Sequence, residues 1–226
     1  MTVEKHVDHA ALAREAGRLA NSKIASIQCR YTGQNNAASV RARAELAQLR
    51  KINGSNNNSW FAADGLILEG WSRERMEQFG ASESDEGRVF CALKNTLGLY
   101  ALHQQSKPIG CAVLRSKDES DEDYRARAAR ASFGSACRRI KPKLDEASCV
   151  RRRLMAIERA NDFDTVLYSL RSLIRLMKGS KGNRPIQVDY RTLAEDLYLL
   201  QLPDGWRENV LSRWSRDYFT SVETSE

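Results

Sequence analysis

Between Arg138 and Arg184 the chain carries thirteen lysines and arginines, opposed by Asp145, Glu146, Glu158, Asp162 and Asp164. This local excess accounts for the whole formal charge of +7 on 226 residues, so cationic character belongs to one region. An arginine guanidinium stays protonated and forks onto phosphate oxygens, which makes such an excess the footprint of nucleic-acid binding. The candidates are Arg138, Arg139, Arg152, Arg153, Arg159, Arg171, Arg175 and Lys178. A second patch, Arg41, Arg43, Arg50 and Lys51, lies upstream; there, pairing with Glu45 accounts for the charges equally well. For both patches the plain alternative is a solvated helix surface.

Other chemistry finds little support. His6, His9 and His103 are too few and too scattered for a metal site, and the two near the N-terminus are expected to face solvent. Glu119, Asp121, Glu122 and Asp123, or Glu195 and Asp196, would hold Mg²⁺ for a nuclease only in principle. Acidic runs in loops and first helical turns more simply complement the backbone dipole. Cys29, Cys91, Cys111, Cys137 and Cys149 show no C-x-x-C pair; they are expected to be small buried thiols in a reducing cytoplasm. No P-loop, G-x-G-x-x-G or G-x-S-x-G pattern is present. The expectation is a protein without catalytic activity, cofactor or metal. The tryptophans fall at helical core spacing, so contacts with backbone phosphates are expected rather than base stacking.

The elements that must position these arginines are helices. Leu, Ala, Arg and Glu dominate and strand-like runs are nearly absent. Val166, Leu170, Leu173, Ile174 and Met177 repeat at helical period, and Arg171, Arg175 and Lys178 share a neighbouring face. Asn161 and Asp162 are N-cap types, and Gly179 is a stop signal. Upstream, Val150, Leu154 and Ile157 form a shorter stripe, with Arg152 and Arg159 on one face. The spacing predicts further helices over the N-terminal residues (Val7, Ala11, Leu12, Ala16, Leu19 inward), from a Ser39 cap (Val40, Ala44, Leu46, Ala47, Leu49 inward), and from Arg88 to His103. A helix follows Asp189 (Tyr190, Leu193, Leu197, Leu200 inward), and a last one starts at Trp206 (Trp206, Val210, Leu211, Trp214, Tyr218 inward). Residues 53–59 and 80–87 read as loops, with Trp60 and Phe61 anchoring the chain after the first.

The expected fold is therefore all-α, two small helical bundles packed together. Residues 1–34 form an N-terminal helical extension, 35–105 the first bundle and 106–123 a connection. The second bundle takes 124–220, and 221–226 form a tail. The acidic N-terminus does not look like a signal peptide, and the longest apolar stretch is too short for a membrane span; a cytoplasmic location is expected.

The early arginine helix SVRARAELAQLRK, then VFCALKNTLGLYALHQQ, SFGSACRRI, RRRLMAIERANDFDTVLYSLRSLIRLMK and VDYRTLAEDLYLLQLPDGWRENVLSRWSRDYF occur in an order and spacing that resembles the CasB family, the small subunit of the type I-E CRISPR surveillance complex Cascade. The resemblance runs over roughly residues 38–220. It implies an all-α, non-enzymatic subunit of antiviral defence, present as a pair between the crRNA-bearing backbone subunits and the large subunit. It further implies contact with the displaced non-target DNA strand and the crRNA:target duplex, which stabilises the R-loop. Carried over by position, the family's basic contacts fall on Arg153, Arg159 and Arg171, with a further one at Arg207. Asp162 departs from the pattern, standing where the family can be basic.

Two other functions are compatible with the residues. A helical transcription regulator would read bases with one helix in the major groove and prefer one duplex sequence. A protein-only scaffold would dock an acidic partner on its basic face.

Overall fold

Helical periodicity becomes ten helices and a further helical turn at 65–68 among the described residues of the computed structural model, which are 7–52, 65–116, 118–180, 182 and 184–220. In chain order they are α1 (His9–Thr32), α2 (Asn36–Ile52), α3 (Arg73–Gln78), α4 (Glu83–Gln104), α5 (Asp121–Ala129), α6 (Phe133–Arg138), α7 (Ser148–Glu158), α8 (Phe163–Gly179), α9 (Tyr190–Leu199) and α10 (Asp204–Thr220). No β-strand occurs among the described residues; Ala112 and Val188 form an isolated parallel bridge. The all-α expectation holds. Residues 53–59, Trp60, Phe61, His6 and the tail lie outside the described residues.

Local signals start most helices. Asp162 caps α8 by accepting from Thr165 N at 2.7 Å, and Asp189 caps α9 by accepting from Arg191 N and Thr192 N. Helix α4 begins five residues before the expected Arg88, because Ser82 and Asp85 form a capping box. Of the stretch 80–87 expected as a loop, 83–87 are thus the start of the helix, while 80–82 lie outside it. Helix α2 also departs from expectation. Asn35 is its cap, accepting from Ala38 N, while Ser39 is buried one turn in. Ala42, Leu46 and Leu49 face inward, and Val40 is 61% exposed. Helix α8 runs through Gly179 and ends at Ser180.

The core is organised around α4. Val89, Ala92, Leu93, Leu97, Leu99, Tyr100 and Ala101 are fully buried, and so are Thr96, His103 and Gln104. A helix apolar on nearly every side has to be wrapped, and α1, α2, α8 and α9 surround this one. Helix α1 packs along α9, α7 on α8, and α6 on α10. One contiguous cluster of buried side chains runs from Leu12 to Tyr218, and a small satellite joins Val113, Tyr124, Ala128 and Ala131.

Polar fasteners hold the layers together. The Gln28 side chain accepts from Ala112 N at 2.9 Å and donates to Ala112 O at 3.0 Å, pinning the buried segment Cys111–Val113 within the connection between α4 and α5. Asp196 on α9 accepts from Arg213 and from Trp214 Nε1 on α10. Burial nonetheless raises its carboxyl to about 7, with Arg213 opposing. The cysteines divide: Cys111 and Cys137 are buried as expected, Cys91 and Cys149 are partly covered, and Cys29 is exposed. His9, expected in solvent, is half-buried with Nδ1 2.8 Å from the Tyr198 hydroxyl. Trp206, expected inward, is 37% exposed and meets the His9 ring edge-on.

Candidate nucleic-acid interface

The apolar stripe of α8 settles what its arginines face. Val166, Leu170, Leu173 and Ile174 are fully buried and Met177 nearly so, which at roughly 1.5–3 kcal/mol per large side chain anchors the helix in one rotation. Arg175 is thereby held in solvent, while Arg171 and Lys178 are half-buried at the edge of the contact. Burial lowers the Arg171 pKa, Asp164 opposing and Arg175 reinforcing the shift. On α7, Val150 and Ile157 face inward at 0% exposure. Arg151, Arg152 and Arg159 project outward around the exposed Met155.

Ion pairing neutralises part of the cationic surface and leaves most arginines of this region without carboxylate partners among the described residues. Outside it Arg18 is neutralised by Glu15, Arg30 by Glu45, Arg88 by Asp85, Arg127 by Glu119 and Arg213 by Asp196, while Arg14, Arg41, Arg43, Arg50, Arg125 and Arg130 carry no ion pair among the described residues. Within it Arg138, Arg139, Arg151, Arg152, Arg153, Arg159 and Arg175 likewise carry no ion pair among the described residues. Of these, Arg139, Arg151, Arg152, Arg159 and Arg175 are exposed.

Several candidates also have work inside the fold. Arg153 is half-buried, donating from Nε to Ser172 Oγ at 2.5 Å and from Nη1 to Cys149 O at 2.7 Å, and so ties α7 to α8. Arg207 donates to Ile157 O and Ala160 O at 2.8 and 2.9 Å, covering carbonyls at the end of α7. Arg139 donates to Gln187 O at 2.6 Å. Arg138 has Nε and Nη1 buried without a hydrogen-bond partner. Asp162, the departure from the family pattern, is the α8 cap, and its bonds from Thr165 hold its carboxyl below the ordinary range.

The upstream patch is drawn towards the ridge. Glu45 is held by Arg30 of α1 through two bonds of 2.6 and 2.7 Å, so it is engaged across helices rather than along α2. Arg41, Arg43 and Lys51 are exposed and Arg50 is half-buried. Lys178 at the end of α8 donates to Gln105 Oε1 at 2.8 Å, and its pKa is lowered by burial and then by Arg50 and Lys107. Charges at the end of α2, in the turn after α4 and at the end of α8 therefore lie within electrostatic reach of one another. Lys107 was not among the expected residues; it sits in a turn, where periodicity carries no signal.

The acidic residues considered for Mg²⁺ are otherwise engaged. Glu119 binds Arg127, Asp123 pairs with the Ser120 cap, and Asp196 is buried under Arg213. Among the described residues no group of His, Cys, Asp or Glu is placed to hold a metal ion, and no helix is long and apolar enough to cross a membrane.

The fold is similar to that of CasB from Thermobifida fusca in its crystal structure, with a TM-score of 0.63 and 24% identity over 90% of this chain and 97% of that one. No curated protein matches the sequence. A family model, CRISPR-associated protein Cse2, matches residues 45–219. That span takes in α4, the end of α2, α8 and α9, the unpaired arginines of α7 and most of α10, well over half of the chain, and on that evidence the chain belongs to the CRISPR-associated Cse2 (CasB) family.

Proposed function

We propose that this chain is a non-catalytic small subunit of the type I-E Cascade complex that binds nucleic-acid backbone. Family membership supports a Cascade subunit role. The observation that carries the binding is the set of arginines on and beside α7, headed by Arg152 and Arg159, and continued on α8 by Arg175, all exposed and without carboxylate partners among the described residues. Rigid helices present them, so the protein need not reorganise to receive phosphates. Contacts to phosphate alone fix position without reading bases. Such a surface suits strands whose sequence changes with every guide: the displaced non-target DNA strand and the crRNA:target duplex. Holding them disfavours reannealing and stabilises the R-loop in antiviral defence. The partners in this reading are crRNA, target and non-target DNA, the backbone and large subunits, and a second copy of the chain.

The test is a titration of the full chain against single-stranded DNA, duplex DNA and RNA, each in two unrelated sequences, at low and physiological salt. Wild type should bind without regard to sequence and weaken steeply with salt. The double variant R159E/R175E should bind at least tenfold more weakly, with a salt slope lower by about two and unchanged helical content. A preference for one duplex by several kcal/mol would point to a regulator. No binding to any of them would point to a protein-docking scaffold.

A further inference from the structure

Tyr168 is 71% exposed, more than any other large apolar or aromatic side chain among the described residues. It makes no hydrogen bond or ring contact among them, so the fold makes no use of its ring. It stands on α8 roughly 200° round from the buried Leu170, on the side the core does not touch. Its neighbours there are polar, and the cations among them are arginines. Arg175 lies about 20° away and two turns along, and Ser172 about 40° away and one turn along. The Arg153 guanidinium from α7 is bonded to Ser172 Oγ at 2.5 Å, which brings a second helix's cation beside the ring. Asp164, one turn before, is the acidic exception on this face.

An exposed aromatic ring in line with Arg175, which is exposed and carries no ion pair among the described residues, matches the two contacts a single strand offers, a base face and a phosphate. We propose that Tyr168 is a stacking platform for one unpaired base of a strand whose phosphates lie on Arg175 and the neighbouring arginines. This deepens the backbone-binding reading and rests on it. It adds what phosphate contacts alone cannot supply, a preference for single strand over duplex, because paired bases hide their faces within the stack. The preference is indifferent to sequence, since every base has a π-face.

The experiment uses the full chain with Y168A, Y168W and the R159E/R175E variant, titrated against single-stranded DNA carrying one 2-aminopurine and against a duplex of the same length. Removing an exposed ring from a helix leaves the fold intact, which circular dichroism checks. Y168A should lose roughly 5- to 100-fold in single-strand affinity, with duplex affinity and salt slope unchanged. Y168W should bind as wild type does, and the 2-aminopurine fluorescence quenched by wild type should be quenched less by Y168A. An equal loss on both substrates, or no loss, overturns the stacking role, as it would if the ring docked a protein subunit instead. In that case R159E/R175E still reports on phosphate binding by itself. If wild type binds neither substrate at low salt, both readings fall together.

Discussion

At the scale of single residues, the charges left exposed and the charges used by the fold were not distinguishable in the sequence. Arg159 and Arg207 look alike there; one is exposed at the end of α7 and the other donates to carbonyls at that same end. Asp162 reads as a lost basic contact when aligned by position, whereas locally it is a cap. The same contrast holds for His103. It looked like an isolated histidine, yet it is fully buried with Nδ1 2.9 Å from the Tyr190 hydroxyl. Burial, reinforced by Lys107, Lys178 and Arg139, pushes its imidazole down to about 3. An unfolded histidine takes up its proton near about 6.5, and the folded chain refuses it. The stability this represents is complete above that pH and is lost as pH falls towards the folded value. Between pH 7 and pH 5 the loss is roughly 2 kcal/mol. Urea denaturation at both pH values should therefore show wild type losing about that much more than H103Q; equal losses would count against the burial.

At the scale of elements, existence was legible and register was less so. Stripes as regular as those of α8 and α9 placed their inward residues correctly, because five or four apolar positions at one period admit a single rotation. Helix α2 was read in part: Leu46 and Leu49 face inward as expected, whereas Val40 and Ala44 are exposed and Ala42 is buried, because alanines occur on several faces and α1 and α4 packing against the helix chose among them. The start of α4 was missed because Ser82 and Asp85 sit in a stretch rich in acidic and small residues that also suits a loop. Glycine shows how neighbours decide an element's tolerance. On α6, a Cβ at Gly134 would collide with the Trp214 carbonyl of α10, and the Asp217 Cβ is 3.0 Å away. On α4, a Cβ at Gly87 would meet nothing within 4 Å. Gly134→Ala should accordingly lower stability by about 1–3 kcal/mol, while Gly87→Ala should raise it by about 0.5–1 kcal/mol. Thermal or chemical midpoints decide it, and effects of the same sign at both positions would refute the packing of α6 on α10.

At the scale of the whole molecule, the division at residues 106–123 into two bundles stands as a proposal beside an observed fact: buried apolar side chains from both halves join in one cluster. Helix α1 packs on α9, and Gln28 of α1 holds Ala112 in the middle of the connection. Contacts of this reach couple the halves. Equilibrium unfolding should then be one transition, coincident for a probe near Trp71 and one near Trp214; two separated transitions would show bundles that fold independently. By itself the sequence determined the all-α class, the inward stripes of α8 and α9 and the region that carries the charge, since these follow from composition and from the 3.6-residue period. Only the tertiary structure decided which arginines are left unpaired, that Arg50 of α2 comes within electrostatic reach of Lys178 of α8, and that Tyr168 stands exposed. A carboxylate or a carbonyl brought close by packing can come from anywhere in the chain, and no local pattern records which cation it will neutralise.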